Sequence, residues 1–486
     1  MTDAEITIRV GELKTESVKL KKEGSLILEF FMVNASNRPE SQLPQCGCET
    51  DANIAAARNF LKAIAAGVSA HSDHGRNTVE TFRAAVAGQK PEHKINDVLK
   101  LYKLAEDFGI PTKDRQVNDV ARQVGETALG QFDKSEGYQL MAQRAPQSRQ
   151  KIWEKLEIIP HAVDREIVEA LHQANAGADK DYKKIIMHAA RTALADGWGC
   201  SMLAAELQDT LFGTPYPRTA SVHIGANANE EVNISQDAKN AVVGFSSESI
   251  SYILGGKYRS SYRLLNDNII NGRIRGIAGI LGCTEAESSQ NTATVILAKK
   301  LIKRNVLVLT TGDAATACCD AGLADPRQTA ELAGAGLAEV CEAVGIPPML
   351  HCGSCIDNCR LLTVFTQLIS EGGLGEDISE IPAAATCLES VTEKVISIGQ
   401  YFVASGLLMV CVSELLPVFG SKNVSDYLLG GIEKDLGGRW AIESDPVKAA
   451  ELILAHIEKK RNALGINKHT DRKLYDMADR RVLTVE

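Results

Sequence analysis

The C-terminal half of this 486-residue chain alternates short apolar runs with helical stretches, and this alternation constrains the fold more than any other feature. The apolar runs have strand length and lie at 276–281, 305–310, 346–351 and 407–412. Helical patterns occur between and beside them, at about 288–304, 328–344, 355–371 and 388–404. Strands that alternate with helices form parallel sheets, so the sequence predicts an α/β fold after about residue 265.

The N-terminal half has a helical period instead. After residue 54, apolar residues recur three and four positions apart, which is typical of one buried helix face. Similar patterns predict helices at about 94–108, 114–127, 163–175 and 180–195. Residues 213–240 are rich in turn formers and indicate a boundary. The sequence therefore predicts a lead-in over 1–50, a helical domain over 51–245 and an α/β domain over 246–486.

Net charge and hydropathy exclude two classes of protein. The net charge is −9, whereas a non-specific nucleic-acid binder carries a basic stripe. No run of about 18 apolar residues occurs, so the sequence has no candidate membrane span. The N-terminus lacks the apolar segment of a secretory signal. We therefore expect a cytoplasmic protein whose partners include neither nucleic acid nor a membrane.

The twelve cysteines are unevenly placed. Cys46 and Cys48 lie near the start, Cys200 stands alone, and the other nine lie between 283 and 411. Cysteines rarely pair in a reducing cytoplasm, so such a group indicates metal binding or redox chemistry. Cys341 and Cys411 lie inside apolar patterns and fit small buried hydrophobic residues instead.

Residues of types that commonly bind metals follow each of the four predicted strands. Cys283, Asp313 and Glu414 follow three of them, and Cys352 and Cys355 follow the fourth. Parallel strands bring such residues to one edge of the sheet, where ligands bind. Thiolates bind iron and nickel, whereas a carboxylate favours a harder, more oxygen-rich metal environment. Alternatively, Asp313 and Glu414 cap the helices that follow them.

Two cysteine motifs suggest clusters. Cys352, Cys355 and Cys359 have a spacing that suits an iron–sulfur cluster, a zinc site or purely structural thiols. Cys46 and Cys48 supply half of a four-thiolate site, and a two-fold axis would supply the other half. The alternative for this second motif is two unrelated buried thiols.

The segment HSDHGR, residues 71–76, contains two histidines, an aspartate and an arginine. These residue types suit proton transfer. They equally suit a polar network that caps a helix.

Seven stretches of the sequence match one family. They are DANIAAARNFLKAIAAGVSAHSDHGR (51–76), ADGWGCSM (195–202), LFGTPYP (211–217), RIRGIAGILGCTEAE (273–287), KKLIKRNVLVLTTG (299–312), VCEAVGIPPMLHCGSCIDNCR (340–360) and EKVISIGQYFVASG (393–406). The chain resembles the catalytic subunit of the anaerobic nickel–iron carbon monoxide dehydrogenases, which are relatives of the hybrid-cluster (prismane) proteins.

The resemblance implies a homodimer in which each subunit has a helical N-terminal domain and two Rossmann-like domains. It also implies iron–sulfur clusters that relay electrons, and a nickel-containing cluster that interconverts CO and CO2. Cys46 corresponds to the ligand at the dimer axis, and Cys48 to the last ligand of a cubane in each subunit. His71 corresponds to the active-site histidine, Lys394 to the acid–base lysine, and Ile398 to the isoleucine that lines the gas pocket.

The chain departs from the family pattern in four places. The run of cysteines between positions 46 and 48 is missing, which leaves one 4Fe-4S cluster shared across the axis. The pattern breaks between 235 and 250, where the central Rossmann domain with its histidine and two cysteines is absent. Of three cysteines expected from the last domain, Cys283 and Cys355 are present and Asp313 replaces the third. The extra thiols are Cys318, Cys319, Cys352 and Cys359.

Three hypotheses follow from these features. The first is an enzyme that interconverts CO and CO2 at a remodelled iron–sulfur site, with or without nickel, and exchanges electrons with a ferredoxin-like carrier. The second is a hybrid-cluster-like reductase of a small nitrogen or oxygen species such as hydroxylamine, with Asp313 as a ligand. The third is a non-catalytic dimeric scaffold or electron-relay subunit. Another subunit is a candidate replacement for the missing domain.

Overall fold

The structure is a computed structural model that describes residues 51–91, 93–134, 140–212, 218–222, 239–255, 261–282, 292–388, 393–412, 416 and 420–469. The predictions for Cys46, Cys48, Cys283 and Glu414 fall outside these residues and stay predictions. Among the described helices, none combines the length and the apolar character that a membrane crossing requires.

A long helix, α1 (Ala52–Val86), is the centre of the N-terminal part. It begins where the Asp51 side chain accepts a hydrogen bond of 2.8 Å from the Asn53 backbone N–H. The helices that begin at Val117, Val163, Tyr182 and Ser201 pack around its buried face. The helices of this part are α2 (Val98–Asp107), α3 (Val117–Gly130), α4 (Gln147–Lys155), α5 (Val163–Ala176), α6 (Tyr182–Leu194) and α7 (Ser201–Phe212). A π-helical segment, Ala195–Cys200, joins α6 to α7.

The C-terminal part is built on one sheet, which has eight strands among the described residues. The strands are β1 (Arg218–Val222), β2 (Lys239–Val243), β3 (Gly276–Ile280), β4 (Val306–Thr310), β5 (Met349–His351), β6 (Ala383–Cys387), β7 (Leu408–Cys411) and β8 (Arg439–Ile442). Their spatial order is β1-β2-β5-β4-β3-β6-β7-β8, and only the β1–β2 pair is antiparallel. From β5 to β8 this is the Rossmann order 3-2-1-4-5-6. The predicted fold, a helical N-terminal part followed by a Rossmann-like α/β part, is confirmed.

Helices cover both faces of this sheet. The helices of the C-terminal part are α8 (Ser247–Leu254), α9 (Arg263–Ile270), α10 (Thr292–Lys303), α11 (Gly312–Asp320), α12 (Thr329–Leu332), α13 (Ala335–Val344), α14 (Arg360–Glu371), α15 (Glu393–Ala404), α16 (Lys422–Asp426), α17 (Glu433–Leu436) and α18 (Pro446–Ala463). A Cβ at Gly276 would lie 2.8 Å from Ile457 of α18, and one at Gly279 would lie 2.4 Å from Leu361 of α14. Because side chains alternate along a strand, α18 and α14 lie on opposite faces of the sheet.

The predicted strands correspond to β3, β4, β5 and β7, whereas the sequence analysis missed the other four. Strand β2 ends at Val243 and pairs with β5, so residues before 246 contribute to the sheet. The domain boundary near residue 245 stays a prediction.

The helical part packs directly on the α/β part. A Cβ at Gly67 would lie 1.9 Å from the carbonyl oxygen of Glu393, so only glycine lets α1 approach α15 this closely. The buried Arg149 forms an ion pair with Asp377. Trp153 donates a hydrogen bond of 2.9 Å to the Ala404 carbonyl. The Gly67 contact places α1 beside the start of α15, which follows β6. The other two contacts join α4 to the chain segments that precede β6 and β7.

Candidate active site

The chain segments after β3, β4 and β5 meet at the C-terminal edge of the sheet. Gly312 has a φ of +58°, and a Cβ there would lie 2.1 Å from the Gly282 carbonyl oxygen. The Gly312 N–H donates a hydrogen bond of 2.9 Å to the Gly353 carbonyl. Glycine is required here because the backbone is left-handed and the neighbouring chain is in contact. Asp313 follows in the first turn of α11, and Gly282 immediately precedes Cys283.

Cys355 begins a 3₁₀ helix after β5 and is half-buried. A capping box starts this helix: the Ser354 side chain accepts from the backbone of Asp357, and the Asp357 carboxylate accepts from the Ser354 N–H. The Sγ of Cys355 lies 3.5 Å from Nδ1 of His74. Its backbone carbonyl lies 3.1 Å from Nε2 of His71. Cys355 therefore contacts both histidines of the 71–76 segment.

Arg360 anchors the other end of this 3₁₀ helix. Its guanidinium donates to both carboxylate oxygens of Asp209, at 2.6 and 2.9 Å, and to Asp357 at 2.9 and 3.0 Å. Asp209 also accepts a hydrogen bond of 2.7 Å from the buried Lys100. These charge-assisted bonds hold the helix that carries Cys355 against α7 and α2.

His71 is fully buried, and an acceptor faces each of its ring nitrogens. Oδ2 of Asp196 lies 2.8 Å from Nδ1, and the Cys355 carbonyl faces Nε2. Burial by itself lowers the pKa of His71, but the Asp196 carboxylate outweighs burial, and the pKa rises from 6.5 to about 9. His71 is therefore an imidazolium at neutral pH, with both N–H groups bonded. The Ser201 hydroxyl donates to Asp196 at 2.6 Å and helps to hold the carboxylate in place.

Asp196 owes its position to the π-helical segment Ala195–Cys200. Such segments are rare and occur frequently at functional sites. A Cβ at Gly197 would lie 2.4 Å from the ring of Tyr401, so glycine lets this segment lie flat against α15. The Cys200 Sγ is 3.4 Å from Asp196 Oδ1, and burial raises the pKa of this thiol well above its usual value. Cys200 is therefore a neutral donor to Asp196.

His74 connects Cys355 with Lys394. The Lys394 Nζ lies 3.1 Å from Nε2 of His74, while Nδ1 of His74 faces the Cys355 sulfur. An ammonium group has donors only, so Nε2 of His74 is the acceptor in this contact. When His74 is neutral its proton is then on Nδ1, which points to the sulfur. His74 is exposed and Lys394 is half-buried, so this row connects the sheet edge with solvent.

The other thiols of the HCGSCIDNC motif bond to their own chain segment. Cys352 Sγ lies 3.5 Å from the Leu350 carbonyl, and Cys359 Sγ lies 3.3 Å from the Ile356 carbonyl. Burial raises the pKa of Cys352 to about 12 and that of Cys359 well above its usual value. Both are therefore neutral thiols.

The remaining predicted site residues are buried. Cys318 and Cys319 lie in α11, after Asp313, and burial raises the pKa of Cys319 to about 12. Ile398 lies one turn after Lys394 in α15. In the part of the chain that the structure describes, three side chains converge to within single-ion distance only at Glu166, Glu169 and His188. The guanidinium of Arg191 bonds to both of those glutamates, at 2.9 and 2.6 Å, so that group is an ion-pair network.

The structure thus brings together His71, Cys355 and Lys394 with His74, the second histidine of the 71–76 segment, and adds Asp196, which the sequence analysis did not single out. His74 lies three residues after His71, and this spacing places both on one helix face. Asp196 lies in the quoted stretch ADGWGCSM, whose register no helical period predicts. The roles of Cys352, Cys359, Cys318, Cys319 and Ile398 stay predictions.

The model of the Prismane/CO dehydrogenase family matches residues 39–238 and 235–447. Carbon monoxide dehydrogenase 1 of Methanosarcina acetivorans is 34% identical over 561 positions, which cover 86% of this chain and 88% of the relative. The corresponding protein of Methanosarcina mazei is also 34% identical, over 562 positions. These alignments are longer than the 486-residue chain, so both relatives contain residues that this chain lacks.

Two solved structures of carbon monoxide dehydrogenases are also similar to this chain. A nickel-free carbon monoxide dehydrogenase from Thermococcus sp. AM4 superposes with a TM-score of 0.76 at 32% identity, over 84% of this chain and 86% of that one. Carbon monoxide dehydrogenase IV of Carboxydothermus hydrogenoformans superposes with a TM-score of 0.77 at 27% identity, over 87% and 90% of the two chains.

Proposed function

The chain belongs to the Prismane/CO dehydrogenase family, and on that premise we propose that it is an iron–sulfur oxidoreductase with its active site at the strand ends. The row of contacts Cys355–His74–Lys394 carries the proposal. It places a thiol that can bind iron beside two groups that can accept and release protons. Interconversion of CO and CO2, the activity after which the relatives are named, couples electron transfer to proton transfer and so uses both kinds of group.

The residues at this edge fit an iron–sulfur group. Cys355 has a half-buried sulfur, and Asp313 lies on the adjoining segment. Nδ2 of Asn358 and the hydroxyl of Tyr401 are buried without a hydrogen-bond partner among the described residues. Buried polar atoms are nearly always paired, so these two support the presence of a further group. Cys355 and Asp313 would hold it, together with Cys283.

When bound, such a group would supply the acceptor for the two electrons released in the reaction CO + H2O → CO2 + 2 H+ + 2 e−. The chain's own residues move those protons. Lys394 and His74 form a path from the Cys355 sulfur to solvent. His71 holds the Cys355 carbonyl through Nε2, and its charge is fixed by Asp196, so it positions the 3₁₀ helix.

The proposal extends to a cytoplasmic homodimer. Cys46 and Cys48 of both chains would bind one 4Fe-4S cluster at the axis, and a ferredoxin-like protein would carry electrons. The support is the Cys-Gly-Cys spacing at 46–48 and the family membership. Another subunit would occupy the place of the segment that the longer relatives contain and this chain lacks.

Protein purified without oxygen tests the proposal. We expect several iron atoms per chain and CO-dependent reduction of a viologen dye. Cys355→Ala should lose iron and activity, while the matched variant Cys352→Ala should keep both, because the Cys352 sulfur bonds to its own segment. Equal iron in both variants and no dye reduction in the unmodified protein would contradict the proposal.

Reduction of hydroxylamine is a second candidate, favoured by Asp313 at the sheet edge. A carboxylate ligand brings oxygen into the donor set, which suits a hybrid-type iron–sulfur group. The dye-reduced protein should then be reoxidised by hydroxylamine, and Asp313→Ala should abolish this reaction. If Cys355→Ala keeps all its iron and Cys46→Ser with Cys48→Ser loses it, the protein is an electron-relay scaffold.

A further inference from the structure

Cys387 and Cys411 lie side by side at the C-terminal edge of the sheet. Cys387 is the last residue of β6, Cys411 is the last residue of β7, and the register of these parallel strands pairs them directly. Neighbouring strands are about 4.8 Å apart, and paired residues turn their side chains to the same face. Both side chains are buried, and neither is in a disulfide bond.

The neighbours of Cys387 identify that face. Two residues earlier on β6, Ala385 lies on the face that α14 covers, because a Cβ at Gly279 would lie 3.8 Å from Ala385 Cβ and 2.4 Å from Leu361. Side chains alternate along a strand, so Cys387 lies on the same face as Ala385.

The neighbours of Cys411 place α15 over the same face. Met409, two residues before Cys411, pairs with Trp440 of β8. The Trp440 indole donates a hydrogen bond of 2.9 Å to Gln400 of α15. Cys411 therefore lies on the sheet face that α15 covers, and the first turn of α15 carries Lys394.

The strand order brings this pair next to the proposed site. Strand β6 is the neighbour of β3, and the Leu281 N–H donates to the Thr386 carbonyl at 2.9 Å, so Cys387 lies beside the end of β3. Cys283 follows Leu281 by two residues. In the spatial order β5-β4-β3-β6-β7, each of five neighbouring strands ends at or just before a cysteine or an aspartate. Because neighbouring strands are about 4.8 Å apart, Cys387 and Cys411 lie only one and two strands from the end of β3, within reach of a group of several iron atoms bound there.

We propose that Cys387 and Cys411 are two thiolate ligands of the iron–sulfur group at this edge. The inference rests on the proposed function. The two adjacent thiols at the ends of β6 and β7 supply two soft donors beside the strand end that precedes Cys283. The proposal assigns a role to both Cys387 and Cys411. From the sequence alone, the apolar surroundings of Cys411 fit a small buried hydrophobic residue.

Single variants of the full chain test the assignment. Cys387→Ala and Cys411→Ala are compared with Cys341→Ala, whose buried thiol bonds to the Pro347 carbonyl at 3.7 Å and lies in α13, away from this edge. The measurements are iron and sulfide per chain, the electron paramagnetic resonance spectrum of the reduced protein, and the melting temperature. We expect at least half of the edge-bound iron to be lost in the first two variants and none in Cys341→Ala.

Two further results distinguish a failure of this assignment from a folding defect and from a failure of the proposed function. Cys387→Ser retains a donor atom, so it should keep iron and show a changed resonance spectrum, whereas a purely structural cysteine would leave the spectrum unchanged. Unmodified protein without iron would overturn the proposed function. If the unmodified protein binds iron, and Cys387→Ala and Cys411→Ala leave both the iron content and the spectrum unchanged, only this assignment is overturned.

Discussion

Replacing Asp196 by asparagine should convert the buried His71 from a charged to a neutral group. The Asp196 carboxylate raises the pKa of His71 from 6.5 to about 9, against the effect of burial. Each pKa unit corresponds to 1.36 kcal/mol, so the charged histidine stabilises the folded protein by about 3 kcal/mol. Asp196→Asn removes the main contributions that raise this pKa, and burial, which favours the neutral ring, is then opposed only by the smaller contributions of Cys355.

The pH range of this effect follows from the direction of the shift. The folded-state pKa of His71 lies above the unfolded value, so the stabilisation is complete below about pH 6.5 and disappears as the pH rises through about 9. The difference in unfolding free energy between the unmodified protein and Asp196→Asn should therefore be largest at pH 6 and shrink toward pH 10. Urea unfolding followed by tryptophan fluorescence measures it.

Asp377→Asn is the matched control. Asp377 also pairs with a buried cation, but Arg149 does not titrate in this range, so its effect on stability should be constant from pH 6 to 10. If the Asp196→Asn difference is equally constant, His71 does not carry the charge that its contacts indicate, and the reasoning about this pair is wrong.

Three further predictions follow from individual contacts. Lys394→Met removes the donor to His74 and should lower CO-dependent dye reduction about 100-fold without changing the iron content. Gly67→Ala places a methyl group 1.9 Å from a backbone oxygen and should destabilise the fold by about 1–3 kcal/mol, whereas Gly130→Ala, with open space around it, should change stability little in urea unfolding. Arg149→Met leaves Asp377 buried without its cation and should cost about 3–5 kcal/mol in the same assay.

The sequence predicts strands whose buried side chains are mostly large and apolar. Strands β3 and β4 are buried at every position, so their apolar runs stand out. Strand β6 consists of Ala383–Cys387, whose small side chains give a weak signal although every position is buried. Strand β8 begins with Arg439 and has half-exposed ends, so it shows no continuous apolar run. These two strands complete the Rossmann order, and only their pairing in the sheet identifies them.

The candidate site is predictable where chemistry follows a strand end and is not predictable where it depends on helix register. Cys355 and Asp313 follow predicted strands, and the resemblance supplies His71 and Lys394. Asp196 escapes such prediction because it lies in a π-helical segment, where the helical period of α6 is broken.

Anomalous diffraction at the iron and nickel absorption edges, from crystals grown without oxygen, tests the central claim most directly. The account predicts iron within bonding distance of the Cys355 sulfur, beside Asp313 and close to His74. Iron bound only elsewhere, or none at all, would contradict a catalytic site at the strand ends.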